Sequence, residues 1–193
     1  MVRNLGTSIR LLVIFMVLIA GVYSLLVTGL AQLLFPAQAN GSLIYRHGQV
    51  IGARMIGQSF TGARWFDSRP SAASYNAAAS VASNYGPTNP ALIKEVKTNL
   101  AAFLKENPGV KASQVPPSMV ESSDSGLDPN ITPAAAYLQA PRVARVNHMS
   151  LAAVRHIVAE HERGRFLGLY GSPHVNVLAM NLSLLAWLNR HHA

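Results

Sequence analysis

The sequence contains no cysteine, so no disulfide framework holds any part of it. Charge is scarce: 12% of residues are Asp, Glu, Lys or Arg, against about 25% in an average soluble domain. Several signatures of chemistry are missing too. No G-x-x-x-x-G-K-[ST] loop offers a phosphate cradle, and no G-x-S-x-G elbow presents a serine nucleophile. The run from His156 to His161, with Glu160 inside it, is one residue out of register for an inverted zincin motif. Side chains five apart on a helix diverge, so the two histidines are poor co-ligands. They read as solvated or helix-capping groups, and His191-His192 as a frayed tail. A net charge of +8 invites a nucleic-acid reading, but the basic residues are scattered and no RNP, finger or basic-helix motif gathers them. No internal repeat is present.

The deficit of charge has a local cause. From Leu11 to Phe35 the chain reads LLVIFMVLIAGVYSLLVTGLAQLLF, in which Tyr23 is the only ionisable side chain. As a helix, 25 residues reach about 37 Å, enough to cross a hydrocarbon core of about 30 Å with some tilt. Ala37-Gln38-Ala39 resembles a signal-peptidase site, but a signal peptide has an apolar region of only about 7–15 residues. The run therefore reads as a retained anchor. Arg3 and Arg10 precede it, and no Lys or Arg stands between Phe35 and Tyr45. Positive charge favours the cytoplasmic side. Residues 1–10 are thus expected in the cytoplasm, 11–35 across the inner membrane, and 36–193 outside as one α+β extracytoplasmic (periplasmic) domain. That region holds 14 of the 16 basic residues and all 8 acidic ones, a charge of +6. Such a charge suits anionic lipid or an acidic partner surface.

Beyond the anchor, Asn40-Gly41 signals a turn, and Ser42–Arg46 and Gln49–Ile56 read as two short strands around His47-Gly48. Residues 59–90 are rich in Gly, Ser, Asn, Ala and Pro, too long for an ordinary connection. Phe60, Trp65, Phe66, Tyr75 and Tyr85 punctuate this stretch and predict an ordered, functional loop. A helix is predicted over Pro90–Glu106, capped by Asn89 and stopped by Asn107-Pro108-Gly109. Its Leu92, Ile93, Val96, Leu100, Phe103 and Leu104 share one face. Another helix starts at Thr132-Pro133, with Pro141 kinking or ending it. A third runs from Leu151 to about Glu162 after Ser150. Residues 175–180 read as a strand and Asn181–Asn189 as a closing helix, too short and too interrupted by asparagine for a second span.

Ser122, Ser123, Asp124 and Ser125 carry hydroxyls and a carboxylate, but such a cluster most often builds a turn. Asn-x-Ser/Thr sequons at Asn40, Asn130 and Asn181 matter only in a eukaryotic secretory pathway. A membrane-tethered periplasmic hydrolase would need a nucleophile, a base and an orienting group in one pocket. Ser125, Asp128 and His148 are the best available set, and no recognised motif contains them. Four segments combine Gly or Pro with small hydrogen-bonding side chains. They are Gly57–Phe60, Arg69–Ala72, Ser83–Pro90 and Ser125–Pro133. Each fits either an elaborate turn or a docking surface, and composition does not separate the two.

At these segments the chain resembles the C subunit (KdpC) of the Kdp potassium-transporting P-type ATPase complex. The resemblance runs through Gln38-Ala39-Asn40-Gly41-Ser42-Leu43-Ile44, Ile56-Gly57-Gln58-Ser59-Phe60, Arg69-Pro70-Ser71-Ala72 and Gly86-Pro87-Thr88-Asn89-Pro90. It continues through Ser125-Gly126-Leu127-Asp128, Ile131-Thr132-Pro133, Pro141-Arg142-Val143-Ala144 and Val175-Asn176-Val177-Leu178. Two departures stand out: residues 77–84 lack paired glycines before Ser83-Asn84, and Asn130 replaces a common histidine. The resemblance implies an accessory, non-catalytic subunit of a high-affinity ATP-driven potassium uptake complex, needed for assembly and activity. It also implies a catalytic chaperone that raises the pump subunit's affinity for ATP. The implied partners are a channel-like potassium-binding subunit, a P-type ATPase subunit and a small fourth subunit, with membrane lipid around the anchor. Small residues such as Ala20, Gly21, Ser24, Thr28, Gly29 and Ala31 let that anchor approach partner helices closely. No tightly bound cofactor or metal is expected; ATP would act through the complex. The resemblance points to Gln139 as the nucleotide-contacting candidate. It also places docking in loops that carry Gln58, Phe60, Arg69, Pro70, Asn84, Gly86, Pro87, Asn89, Pro90, Gly126 and Asp128. The chain itself has neither the Asp-Lys-Thr-Gly-Thr phosphorylation motif nor a Thr-Val-Gly-Tyr-Gly filter, so alone it should neither hydrolyse ATP nor conduct potassium.

Overall fold

Helix begins well before the apolar run. In the computed structural model, which describes residues 2–191, α1 (Val2–Met16) passes into a π-helical stretch (Val17–Tyr23) and then α2 (Ser24–Leu34). His192 of the expected histidine tail, with Met1 and Ala193, lies outside the described residues. The Ser24 hydroxyl donates to the Ile19 carbonyl at 3.1 Å, five residues back, as the wider π turn allows. Of this helix, Asn4–Leu34 is long and apolar enough to cross a membrane. Those 31 residues reach about 46 Å, more than a bilayer core of about 30 Å requires. Phe35 leaves helical geometry, and Pro36 opens the single turn α3 (Pro36–Ala39).

The chain divides into two compact units, one through Ile51 and one from Gly52 onward. The boundary falls within β2 (Gln49–Ala53), which pairs with β1 (Leu43–Arg46) in a two-stranded sheet. Both residues of their connection, His47 and Gly48, have positive φ, the geometry a tight two-residue hairpin needs.

In the second unit no helix or strand occurs from residue 54 to residue 89, matching the long loop expected there. α4 (Pro90–Glu106) has the expected ends, and the Asn89 side chain accepts the Ala91 N–H at 2.8 Å. The apolar face is only partly covered. Phe103 is buried, Leu92, Val96, Leu100 and Leu104 are only half-buried, and Ile93 is exposed. α5 (Pro133–Val146) is capped by Thr132 and continues past Pro141. Of the two outcomes expected at Pro141, a kink or an end, the end does not occur. Instead the turn beyond continues because Arg142, Val143 and Ala144 are buried there, and their packing outweighs one lost backbone bond.

α6 (Leu151–His161) follows its Ser150 cap and leads into β4 (Glu162–Arg163). β5 (His174–Asn176) is shorter than the strand expected over 175–180, and α7 (Val177–His191) begins inside that stretch. The reason is a cap: Asn176 Oδ1 accepts the Ala179 N–H at 3.0 Å. An apolar run as short as Val177–Met180 fits strand or helix equally by periodicity. Together β3 (Asn130–Ile131), β5 and β4 form an antiparallel sheet in that order, pairing Ile131 with Val175 and Arg163 with His174. α5, α6 and α7 close one core on this sheet, with Ala135, Ala136, Ala140, Val143, Val154, Val158, Val175, Met180 and Leu184 buried. The alanines of α5 keep its contact with α6 close.

Candidate docking site and its internal clamp

The long loop has no ladder of its own, so its backbone polar groups need other partners. Side chains of α5 and α7 supply them. Asn181 accepts the Phe66 N–H at 2.9 Å and returns a bond to the Phe66 carbonyl, also at 2.9 Å. That pair locks the fully buried Phe66 ring over the core. Gln139 accepts the Asp67 N–H at 2.8 Å through Oε1, which also receives Arg142 Nη2 at 2.8 Å. Asn147 donates to the Arg64 carbonyl at 2.8 Å.

Arg142 is the hub of this clamp. Its Nη1 donates to the Ala63 and Trp65 carbonyls at 2.8 and 3.0 Å. Its Nε reaches Asn107 Oδ1 at 3.0 Å, and its Nη2 pairs with Asp67 Oδ2 at 2.6 Å. A buried guanidinium is tolerated only with this degree of satisfaction. Burial nevertheless raises the Asp67 carboxyl to about 6 from 3.8, outweighing the opposing pull of Arg142. Burial, and then the Asp67 charge, push the Tyr75 hydroxyl above its usual value.

Three of the four Gly/Pro segments meet. The Gly57 N–H donates to the Leu127 carbonyl at 2.7 Å, and the Ser68 hydroxyl to the Gln58 carbonyl at 2.9 Å. Arg69 pairs with Asp128 at 3.1 Å, Ser71 donates to the Gly126 carbonyl, and Tyr75 caps the Arg69 carbonyl at 2.7 Å. Gly57 is required here, because a Cβ would stand 2.6 Å from the Asp128 carbonyl oxygen. Gly126, at φ +66, would place one 2.8 Å from both Ala73 Cβ and the Val81 carbonyl oxygen. Gln58, Phe60, Arg69, Pro70 and Asp128 are therefore half-buried and Gly126 buried. The polar contacts of Gln58, Arg69, Gly126 and Asp128 tie the chain to itself. The fourth segment stands apart: Asn84, Gly86, Pro87 and Pro90 are exposed and Asn89 is half-buried. Asn84, Tyr85 and Pro87 line a cavity of about 320 Å³ with Ser122, Ser123 and Asp124.

Gln139 has 0% of its surface exposed. A nucleotide could reach it only if residues 66–67 lifted from α5. The hydrolase set is not assembled either. Ser125 Oγ accepts from Leu127 N–H, and Asp128 is held by Arg69 and by the Asn130 N–H. Among the described residues no hydrogen bond joins either of them to His148, and no group of three or more His, Asp or Glu side chains could hold a metal ion. His156 and His161 diverge as expected. His156 lies 3.5 Å from Glu160 on the surface, whereas His161 bonds Ser183 and the Ile157 carbonyl.

The family model for KdpC, the c chain of K+-transporting ATPase, matches residues 5–186. The chain is 49% identical over 189 residues to the potassium-transporting ATPase KdpC subunit of Caldanaerobacter subterraneus subsp. tengcongensis, covering 98% of each. It is 53% identical over 184 residues to that of Acidobacterium capsulatum, covering 94% of this chain and 97% of the relative. With that of Methylococcus capsulatus it shares 46% over 187 residues, covering 95% and 98%.

The chain belongs to the KdpC family.

Two features of this KdpC chain were missed in the sequence. One is the clamp itself. Arg142 stood inside the Pro141–Ala144 block, but nothing local says that its partners lie near residue 65. The other is the hairpin between β4 and β5. Phe166 N–H donates to the Tyr170 carbonyl at 2.8 Å and Tyr170 N–H returns a bond at 3.0 Å. Phe166, Leu167, Leu169 and Tyr170 are 68–75% exposed at its tip. A signal was available: four large apolar residues sit among Gly164, Gly168 and Gly171, a setting that builds turns and not a core.

Proposed function

We propose that this chain is an accessory, non-catalytic subunit of an ATP-driven potassium uptake pump. The α1–α2 helix anchors it in the inner membrane with the N-terminus in the cytoplasm and the second unit outside. The observation that carries this reading is the match to KdpC over residues 5–186, joined to a helix able to span at Asn4–Leu34. The partners are a channel-like potassium-binding subunit, a P-type ATPase subunit and a small fourth subunit. Apolar side chains of the helix are exposed along its length, available to lipid and to partner helices. The Asn84–Pro90 segment, exposed except at Asn89, offers one docking surface.

The chain raises the pump subunit's affinity for ATP indirectly. With the second unit outside and ATP in the cytoplasm, the effect is a coupling free energy between separated sites. Burial of Gln139 supports this route over direct nucleotide contact. The test is a complex prepared without this chain. Loss of assembly or of potassium-stimulated ATP hydrolysis is expected, and normal potassium-stimulated hydrolysis would overturn the proposal.

A further inference from the structure

The β4–β5 hairpin is built at odds with an isolated soluble domain. Its tip exposes Phe166, Leu167, Leu169 and Tyr170 together, whereas scattered single apolar residues are the ordinary case on a surface. Leu167 sits at φ +53, a left-handed conformation that Gly or Asn would hold at lower cost. A bulky apolar side chain is kept there despite the strain. Four donors of the tip are satisfied internally: the N–H groups of Phe166, Gly168, Leu169 and Tyr170 all bond within residues 165–170. Those four N–H groups need no water, which lowers the cost of drying the tip.

The foot of the hairpin has a different character. Arg54, Arg163, His161 and His174 line one cavity of about 290 Å³ with Asn130 and Asn176. From residue 162 to the end of the sequence the one acidic residue is Glu162, which lies outside the cavity lining and accepts from the Tyr137 hydroxyl at 3.4 Å. Asn176 holds the Arg54 carbonyl at 2.8 Å, His161 is fixed by Ser183, and His174 Nδ1 is engaged by the Ser172 carbonyl at 3.0 Å. The foot is therefore a shaped basic recess, set beside a convex apolar tip.

We propose that this hairpin docks the domain onto another subunit of the ATPase. Its tip enters an apolar cleft, and its foot receives carboxylates from the rim of that cleft. The inference rests on the reading that the chain works inside the pump complex. A protein partner fits better than a lipid surface for two reasons. Lipid-reading patches gather about four to eight Lys or Arg, and the hairpin from residue 162 to residue 176 has only Arg163 and Arg165. Its Phe, Tyr and Arg are also side chains enriched at protein interfaces, and the recess is fixed where a lipid headgroup needs no fixed shape.

The test uses the whole complex in native membranes, with a photoreactive benzoylphenylalanine replacing Phe166. Irradiation should crosslink this chain to another ATPase subunit, identified by mass. A control at exposed Lys97 should give at least tenfold less of that product. Leu169→Asp should lower the amount of this chain retained per complex about tenfold, with Trp65 and Trp187 fluorescence unchanged; Arg163→Glu should act in the same direction, less strongly. Crosslinks confined to lipid or to a second copy of this chain would overturn the inference, as would full retention of Leu169→Asp. Each of those outcomes leaves the proposed function standing. If the unmodified chain purifies with no ATPase subunit, the proposed function falls as well.

Discussion

Gln139 and Arg142 act as one device, because they share Oε1 and both fasten the 63–67 backbone. Truncating Gln139 to Ala strips the Asp67 N–H of its partner and removes an acceptor from a buried charge. We expect a loss of about 2–4 kcal/mol, read as urea unfolding of the full chain in detergent by tryptophan fluorescence. Asp67 gives a pH signature. Its carboxyl titrates near 6 in the fold and near 3.8 in a free chain. Between those values the folded chain binds the extra proton, so this contribution to stability is complete below about pH 4 and is lost as pH rises through 6. Subtracting the Asp67→Asn profile from that of the unmodified chain should expose that fall; a difference rising with pH would contradict it.

At the scale of elements, local chemistry predicted helix starts well wherever a cap preceded a proline or an apolar face. Asn89 and Ser150 cap as read, and the helix read to start at Thr132-Pro133 is capped by Thr132. Asn176 was read inside a strand, because its cap works only once β5 has paired with β3 and turned the chain. Replacing Asn176 by Ala removes the α7 cap and the bond to the Arg54 carbonyl. A loss of about 1–2 kcal/mol is expected from the cap, measurable by the same unfolding experiment. Replacing Gly57 by Ala should cost more, since backbone at Asp128 must move to admit the methyl group.

For the whole molecule, the absence of cysteine is an experimental advantage. A single cysteine at exposed Lys97 should react with an impermeant maleimide in intact spheroplasts. One at residue 4 should react only after the membrane is opened. The reverse pattern would place the second unit in the cytoplasm and allow direct contact with ATP. The division into two units near Ile51 gives this test two well-separated reporters along the chain.

The apolar run, the hairpin at His47-Gly48, the bounds of α4 and the family were all legible in the sequence. Each depends on contiguous residues: hydropathy over a window, two residues with positive φ, a cap beside its helix, or motifs in order. Tertiary structure alone decided the roles of Gln139, Arg142, Asn147 and Asn181. Their partners lie from 72 to 115 residues away for Gln139 and Asn181, and only folding sets such pairs face to face. It also decided that Gln58, Arg69 and Asp128 turn inward while Phe166 and Leu169 turn out. Composition records how apolar a residue is, and the packing around it decides whether water still reaches it.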